Sequence, residues 1–483
     1  MSAQMRHLLI FLPGVMGSVL QKDGRDVWAL SGQGLWEYLR TLGQSLNDLR
    51  VPQDDWQQDD LGDGIQAVRL IEDIHSIPRV MEHAGYSVLV QHIKESFDNL
   101  EEGNILQPHA NANFFTFPYD WRRDNRVAAR KLKNFIDQQL PLWREASGAW
   151  DAQVILIGHS LGGLVARYYV EALEGWRTCH TLITVGSPHR GALGALNMLV
   201  NGVHPLLGGL NAVVRSLESA YQILPAYPAI QVGGQYKRVI EMDALPPVDM
   251  ARARQARKNF LDAIVEHARR NVQDKDYLTH TLPWLGTHQS TWQSASWQDN
   301  RLVMSYAPPA GLPDSLADGD GTVPRVAAVP IDLDGKGLER FAIEQHGWLT
   351  NNPMTLSPLL DTVTQLAAGG TSEFWGVTDT PLFGLSLRVE PVYARAEPVT
   401  VQVKLVADDD QARAVTVRVT PKNTTVESVT QTAQANAAQA VDVVLGELKP
   451  GLYELTATAE GTDRPSGNPV HGIFEVIDPA QAE

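Results

Sequence analysis

The sequence predicts an α/β protein built on a mostly parallel central sheet, followed by an all-β sandwich. Three observations carry this expectation. Over residues 1–370 short apolar runs alternate with helical patterns, the order that gives a parallel sheet with helices on its faces. Within that region the apolar run Val154-Ile155-Leu156-Ile157 leads directly into Gly158-His159-Ser160-Leu161-Gly162-Gly163 and then into a helical pattern. Beyond residue 370 the period becomes two. Val399, Val401, Val403 and Leu405, then Val415, Val417 and Val419, alternate with polar residues, as half-buried antiparallel strands do.

The expected core strands are 8–12, 114–117, 154–157, 181–185, 302–306 and 341–343. After Ser160, positions Leu161, Leu164, Val165, Tyr168 and Ala172 keep helical spacing, and Gly175 closes the run. Ser357 and Pro358 fit the N-cap and first position of a last helix, with Leu359, Leu360, Val363 and Leu366 on one face and Gly369-Gly370 as its stop. Two stretches exceed ordinary connection lengths and read as a cap. One is 23–60, where Leu35, Trp36, Leu39, Leu42, Leu46 and Leu49 precede an acidic loop; the other is 195–300, with a long helix over 249–271. Residues 371–379 are expected as a linker and 380–483 as an Ig-like sandwich. Tyr453, after Lys449-Pro450-Gly451-Leu452, fits a corner tyrosine, and the polar stretch 428–440 fits a mobile loop.

Composition narrows the function. Of 483 residues, 40 are Lys or Arg and 56 Asp or Glu, a net charge of −16. Such a chain repels phosphate backbones, so nucleic acid is not an expected partner. The single cysteine, Cys179, excludes an intramolecular disulfide and fits a reducing compartment. No apolar run approaches the roughly 18 residues of a membrane span. The run Leu8–Leu12 is broken by Pro13-Gly14 and reads as a strand rather than a signal peptide. Cytoplasmic location is the expectation.

Serine needs a base to take its proton, a third group to orient that base, and N–H donors for the developing oxyanion. The strand–Gly158-His159-Ser160-Leu161-Gly162–helix arrangement is a nucleophile elbow of the α/β-hydrolase type, which makes Ser160 the candidate nucleophile. In that fold the acid and base follow in the order Ser, Asp, His. Asp318-Gly319-Asp320-Gly321-Thr322-Val323-Pro324 supplies the acid, with Asp320 preferred and Asp318 in reserve. A calcium loop there fails, because Leu316 and Ala327 would occupy positions that need carboxylates. Neither a metal nor a cofactor is called for. His346, in the loop before the last helix, is the expected base among 14 histidines. His189 is its rival and His159 a local packing residue. The loop Pro13-Gly14-Val15-Met16-Gly17-Ser18 offers one oxyanion donor, Val15 or Met16, and Leu161 the second.

These blocks, together with Pro118-Tyr119-Asp120-Trp121-Arg122 and Gly186-Ser187-Pro188-His189-Arg190-Gly191, resemble the lecithin–cholesterol acyltransferase family. The resemblance implies attack of Ser160 on a lipid acyl ester, with Val15 as the first oxyanion donor. It also implies a lid tryptophan that engages lipid, for which Trp28 and Trp36 are candidates. Asp120 and Arg122 read as a helix-start ion pair. Animal members are secreted and disulfide-locked at the lid, which this chain does not match, and the sandwich has no counterpart in the best-known members.

Three functions are therefore in view. The first is a serine esterase, lipase or phospholipase acting through an acyl-Ser160 intermediate, its cap making transient contact with membrane or lipid aggregates. The second is an acyltransferase that passes the acyl group to an alcohol. The third is an interaction protein whose sandwich binds a protein partner and whose hydrolase is vestigial; intact Ser160, Asp320 and His346 argue against it.

Overall fold

Alternation within the apolar runs sorts their side chains onto two faces of one sheet. A computed structural model describes residues 4–29, 45–71, 75–77, 81–83, 85–203, 209–278, 280–313, 316–368, 383–422, 427–460 and 469–478. The central sheet comprises β1 Leu8–Leu12, β2 Glu102–Gly103, β3 Phe114–Thr116, β4 Val154–His159, β5 Cys179–Val185, β6 Thr281–Gly286 and β7 Arg340–Ala342. Its order is β7-β6-β5-β4-β1-β3-β2, with every pairing parallel. Leu9, Phe11, Ile155, Ile157, Ile183 and Val185 pack on one face with helices Ser87–Ser96 and Pro353–Ala367. Leu8, Ile10, Leu12, Val154, Leu156 and Leu182 pack on the other with helices Asn125–Ser147 and Leu161–Ala172. Burial on both faces is why these strands read as unbroken apolar runs.

Three elements differ from the sequence expectation. The strand Arg301–Ser305 is not in the central sheet. It pairs antiparallel with Ser294–Gln298 across Asp299 and Asn300, both at positive φ, as a two-residue hairpin turn demands. That hairpin joins Ile230–Val232 and Gln235–Lys237 in a small cap sheet. The core strand is β6, which splits the cap expected over 195–300. Pro283 disguises it, since proline cannot donate to a ladder; pairing with β7 starts just past it, Trp284 opposite Arg340. The last helix starts earlier than Ser357 suggests. Asn352 caps it by accepting from the Met354 N–H at 2.9 Å, and Pro353 takes the first turn. Gly369 and Gly370 lie outside the described residues.

Other elements follow the pattern. Asp249 caps Met250–Arg257, which continues through a π-turn at Lys258–Asp262 into Ala263–Asn271. In the first insertion, residues 30–44 lie outside the described residues, but the acidic part is clamped to the α/β domain. Arg122 pairs with Asp63 at 3.0 Å and Asp120 at 2.7 Å. Arg123 pairs with Asp54 at 2.8 Å and Arg130 with Asp59 at 2.6 Å. The helix start belongs to Asp124, whose side chain accepts from the Arg126 N–H. Among the described residues no helix is long and apolar enough to cross a membrane.

The linker 371–379 also lies outside the described residues. Beyond it stand β8 Gly384–Arg388, β9 Val392–Ala394, β10 Pro398–Val406, β11 Arg413–Pro421, β12 Val429–Ala435, β13 Val441–Glu447, β14 Gly451–Ala459 and β15 Val470–Ile477. They form two sheets, β8-β10-β13 and β9-β15-β14-β11-β12, around a shared core of Val401, Val417, Leu455, Phe474 and their neighbours. The stretch expected as a mobile loop is largely edge strand β12, paired only with β11 in its sheet; an edge strand tolerates polar residues. Tyr453 closes a tyrosine corner, its hydroxyl donating to Lys449 O at 2.7 Å.

Candidate active site

Ser160 lies at the junction of β4 and the following helix with φ 51° and ψ −120°, backbone that residues with side chains rarely adopt. The turn closes only because its neighbours are small. A Cβ on Gly158 would stand 2.4 Å from Gly163 Cα, and one on Gly162 2.4 Å from Pro13 O.

Two distant loops meet this serine. His346 Nε2 is 3.0 Å from Ser160 Oγ, and His346 Nδ1 is 2.7 Å from Asp320 Oδ2. A carboxylate only accepts, so Nδ1 carries the proton and Nε2 accepts from the serine hydroxyl. Asp320 is aimed by its own turn. Its Oδ1 accepts from the Thr322 N–H at 3.0 Å and the Val323 N–H at 2.6 Å, while its carbonyl accepts from the His346 N–H at 2.8 Å. All three side chains are buried. Asp318 turns elsewhere: its Oδ2 accepts from the His288 N–H at 3.1 Å.

The other histidines near the elbow are committed. His189 Nε2 is bonded to Thr184 Oγ1 at 3.0 Å, and burial, with the nearby Arg167 and Arg190 charges, holds it well below the usual imidazole range. His159 Nε2 donates to His346 O at 3.2 Å, which leaves Nδ1 to accept from the Tyr86 hydroxyl at 3.0 Å. Burial foremost, then the neighbouring His346, keeps His159 neutral.

The loop expected to hold an oxyanion donor lies against the serine. A Cβ on Gly14 would stand 3.0 Å from Ser160 Cβ. Gly17 N–H donates to Gly14 O at 3.1 Å and Met16 has φ 61°, so Val15 and Met16 form the middle of a type II-like turn. Among the described residues neither the Val15 N–H nor the Leu161 N–H donates a hydrogen bond.

Aromatic side chains brace that loop along its length. Tyr86 Oη accepts from the Gly14 N–H at 2.8 Å. Tyr119 donates to Pro13 O at 2.9 Å, Trp28 to Met16 O at 3.0 Å and Trp121 to Ser18 O at 3.2 Å. Burial raises the Tyr86 and Tyr119 hydroxyls far above the phenol range, so both stay protonated. Trp28, one of the two lid candidates, turns its ring inward in this structure. It is fully buried, edge-on to Trp121 with ring centroids 5.2 Å apart. Trp36 lies outside the described residues. Tyr86 had no sequence signal, being a lone tyrosine at the start of the helix Ser87–Ser96. Tyr119 and Trp121 stand in the conspicuous Pro118–Arg122 block, and a polar ring atom on a buried aromatic is the clue to such a role.

Residues 87–303 match the family model of lecithin:cholesterol acyltransferase. No curated protein matches the chain. Solved structures similar to it include the Bacillus licheniformis lipase BlEst2. The mature form is 13% identical over 75% of this chain and 92% of that chain, with a TM-score of 0.32. The propeptide form is 11% identical over 97% and 93%, with a TM-score of 0.34. A CARDB domain from Pyrococcus furiosus, solved with di-metal ions, is 15% identical over 21% of this chain and 99% of that domain, with a TM-score of 0.16.

Proposed function

We propose, from the match to the lecithin:cholesterol acyltransferase family and the site just described, that this chain is a serine hydrolase of lipid acyl esters. The observation that carries the reading is the chain of contacts from Ser160 Oγ through His346 to Asp320, at 3.0 and 2.7 Å. Ser160 Oγ attacks the ester carbonyl as His346 Nε2 takes its proton, and Asp320 stabilises the imidazolium. The oxyanion that forms accepts from the Val15 and Leu161 N–H groups. Collapse expels the alcohol, which recovers the proton from His346 and leaves acyl-Ser160. Water, activated by the same imidazole, releases the acid and restores the hydroxyl.

The family match supports lipid esters over small polar ones. An alcohol in place of water at the second step would make the same residues an acyltransferase. The test is turnover of para-nitrophenyl esters of rising chain length, beside phospholipid and triglyceride, with and without an added alcohol. Rising kcat/KM with chain length supports the lipid reading, and activity confined to acetate-length esters overturns it. Acyl chains recovered on the alcohol, by mass spectrometry, would assign transfer.

A further inference from the structure

The loop that carries His346 is held in place by the C-terminal sandwich. Glu344 lies two residues before His346, is fully buried, and gathers four hydrogen bonds. Its Oε1 accepts from the Gln345 N–H at 2.7 Å and the His471 N–H at 3.2 Å. Its Oε2 accepts from Asn352 Nδ2 at 2.7 Å and His471 Nδ1 at 2.9 Å. Two of the four donors belong to His471, on β15. The His471 ring also stacks on Trp348, with centroids 4.5 Å apart and planes at 22°. Residues on either side of His346 are therefore held by one sandwich residue, through its ring and its backbone N–H.

The acid loop is tied down the same way. Gln289 N–H donates to Gly319 O at 2.9 Å, and Gln289 forms an isolated bridge with Asp320. Its side-chain amide then behaves like a strand residue toward β8. Nε2 donates to Leu385 O at 2.9 Å, and Oε1 accepts from the Leu387 N–H at 3.0 Å. Ile343 completes the contact by packing into the sandwich core. A buried carboxylate depends on its donors, and loss of the His471 side chain takes away one of the four hydrogen bonds to Glu344 together with the stacking on Trp348, which frees Glu344 and the loop to shift. A ring displaced by about 1 Å costs on the order of 100-fold in rate.

We propose that His471 is a positioning residue for His346, acting through Glu344 and Trp348, so that the sandwich is a working part of the active site and not an appended module. This rests on the hydrolase reading above for its kinetic readout only. The experiment compares wild type, His471→Ala and His471→Asn by ester turnover, by melting temperature, and by the low-field proton NMR signal of the His346 Nδ1–H bonded to Asp320. His471→Ala is expected to lower kcat ten- to a hundred-fold on the scale of such displacements, with KM within about twofold, and to broaden or abolish the NMR signal. His471→Asn, which keeps a donor at the same reach, is expected to restore much of both. Unchanged kcat and an unchanged NMR signal in His471→Ala, whatever the melting temperature does, overturn the proposal. Loss of the signal in a protein whose wild type turns over no ester supports the positioning role while removing the hydrolase reading.

Discussion

The hydroxyl of Tyr86 lies 3.0 Å from Nδ1 of His159 and also accepts from the Gly14 N–H at 2.8 Å, so one phenol joins the turn that carries Ser160 to the loop that faces it. Removing the oxygen deletes the hydrogen bonds to the Gly14 N–H and to His159 Nδ1. Tyr86→Phe is expected to lower kcat about ten- to a hundred-fold, in the range of positioning losses, with the fold kept. Steady-state kinetics beside circular dichroism check this; a kcat within twofold of wild type would dismiss the brace.

Two carboxylates two residues apart have separate partners, His346 for Asp320 and His288 for Asp318. Asp320→Asn should cost about 10⁴-fold in kcat, because the amide favours the wrong imidazole tautomer. Asp318→Asn should leave kcat within about threefold. The same assay on His346→Gln and His189→Ala should abolish turnover in the first and leave it measurable in the second. Reversal of either pair would reassign the acid or the base.

Arg123 and Asp54 form an ion pair with side chains 4% and 2% exposed, and it fastens the first insertion to the helix start at Asp124. Arg123→Ala strands a buried carboxylate, at a cost of about 3–5 kcal/mol. Urea unfolding should show that loss, and limited proteolysis should cut within 45–63 faster. The double variant Arg123→Met/Asp54→Asn should recover part of the stability, since no charge is then left unpaired.

His7 is pushed down to about 4, first by burial and then by His180 and Arg6, with Asp151 opposing. The His180 ring lies beside it, tilted by 45° with centroids 4.7 Å apart. In the unfolded chain the same group titrates near its ordinary 6.5. The unfolded state therefore binds the extra proton between these values, and stability falls as pH drops through that window, by up to about 1.4 kcal/mol per pH unit for one such group. His7→Asn keeps an acceptor for the Gln153 N–H that His7 Nδ1 now takes. Its unfolding free energy should fall less steeply from pH 6.5 to 4.5; an unchanged slope would place the titration elsewhere.

The strand cores, the turn around Ser160 and the loops that carry Asp320 and His346 were legible in the sequence because each is a local pattern. Val154–Leu156 is apolar on both faces, Ser160 stands between small residues, and Asp320 precedes its own Gly-Thr-Val turn. What escaped is non-local. Thr281–Gly286 is concealed by Pro283, while residues 302–306 have the apolar content of a core strand yet follow an Asp299-Asn300 hairpin signal that places them in the cap. Trp28 carries the composition of a lid residue, but its position is set by Met16 O and Trp121, which no spacing reveals. Glu344 and His471 are 127 positions apart, and only the docking of the sandwich makes them neighbours.

The nucleophile is tested most directly by intact-mass and peptide mass spectrometry after reaction with a fluorophosphonate, run beside ester turnover for wild type and Ser160→Ala. A single phosphonyl adduct on the Ser160 peptide is expected in wild type, with both adduct and turnover lost in the variant. Labelling at another residue, or turnover that survives in Ser160→Ala, would contradict the assignment.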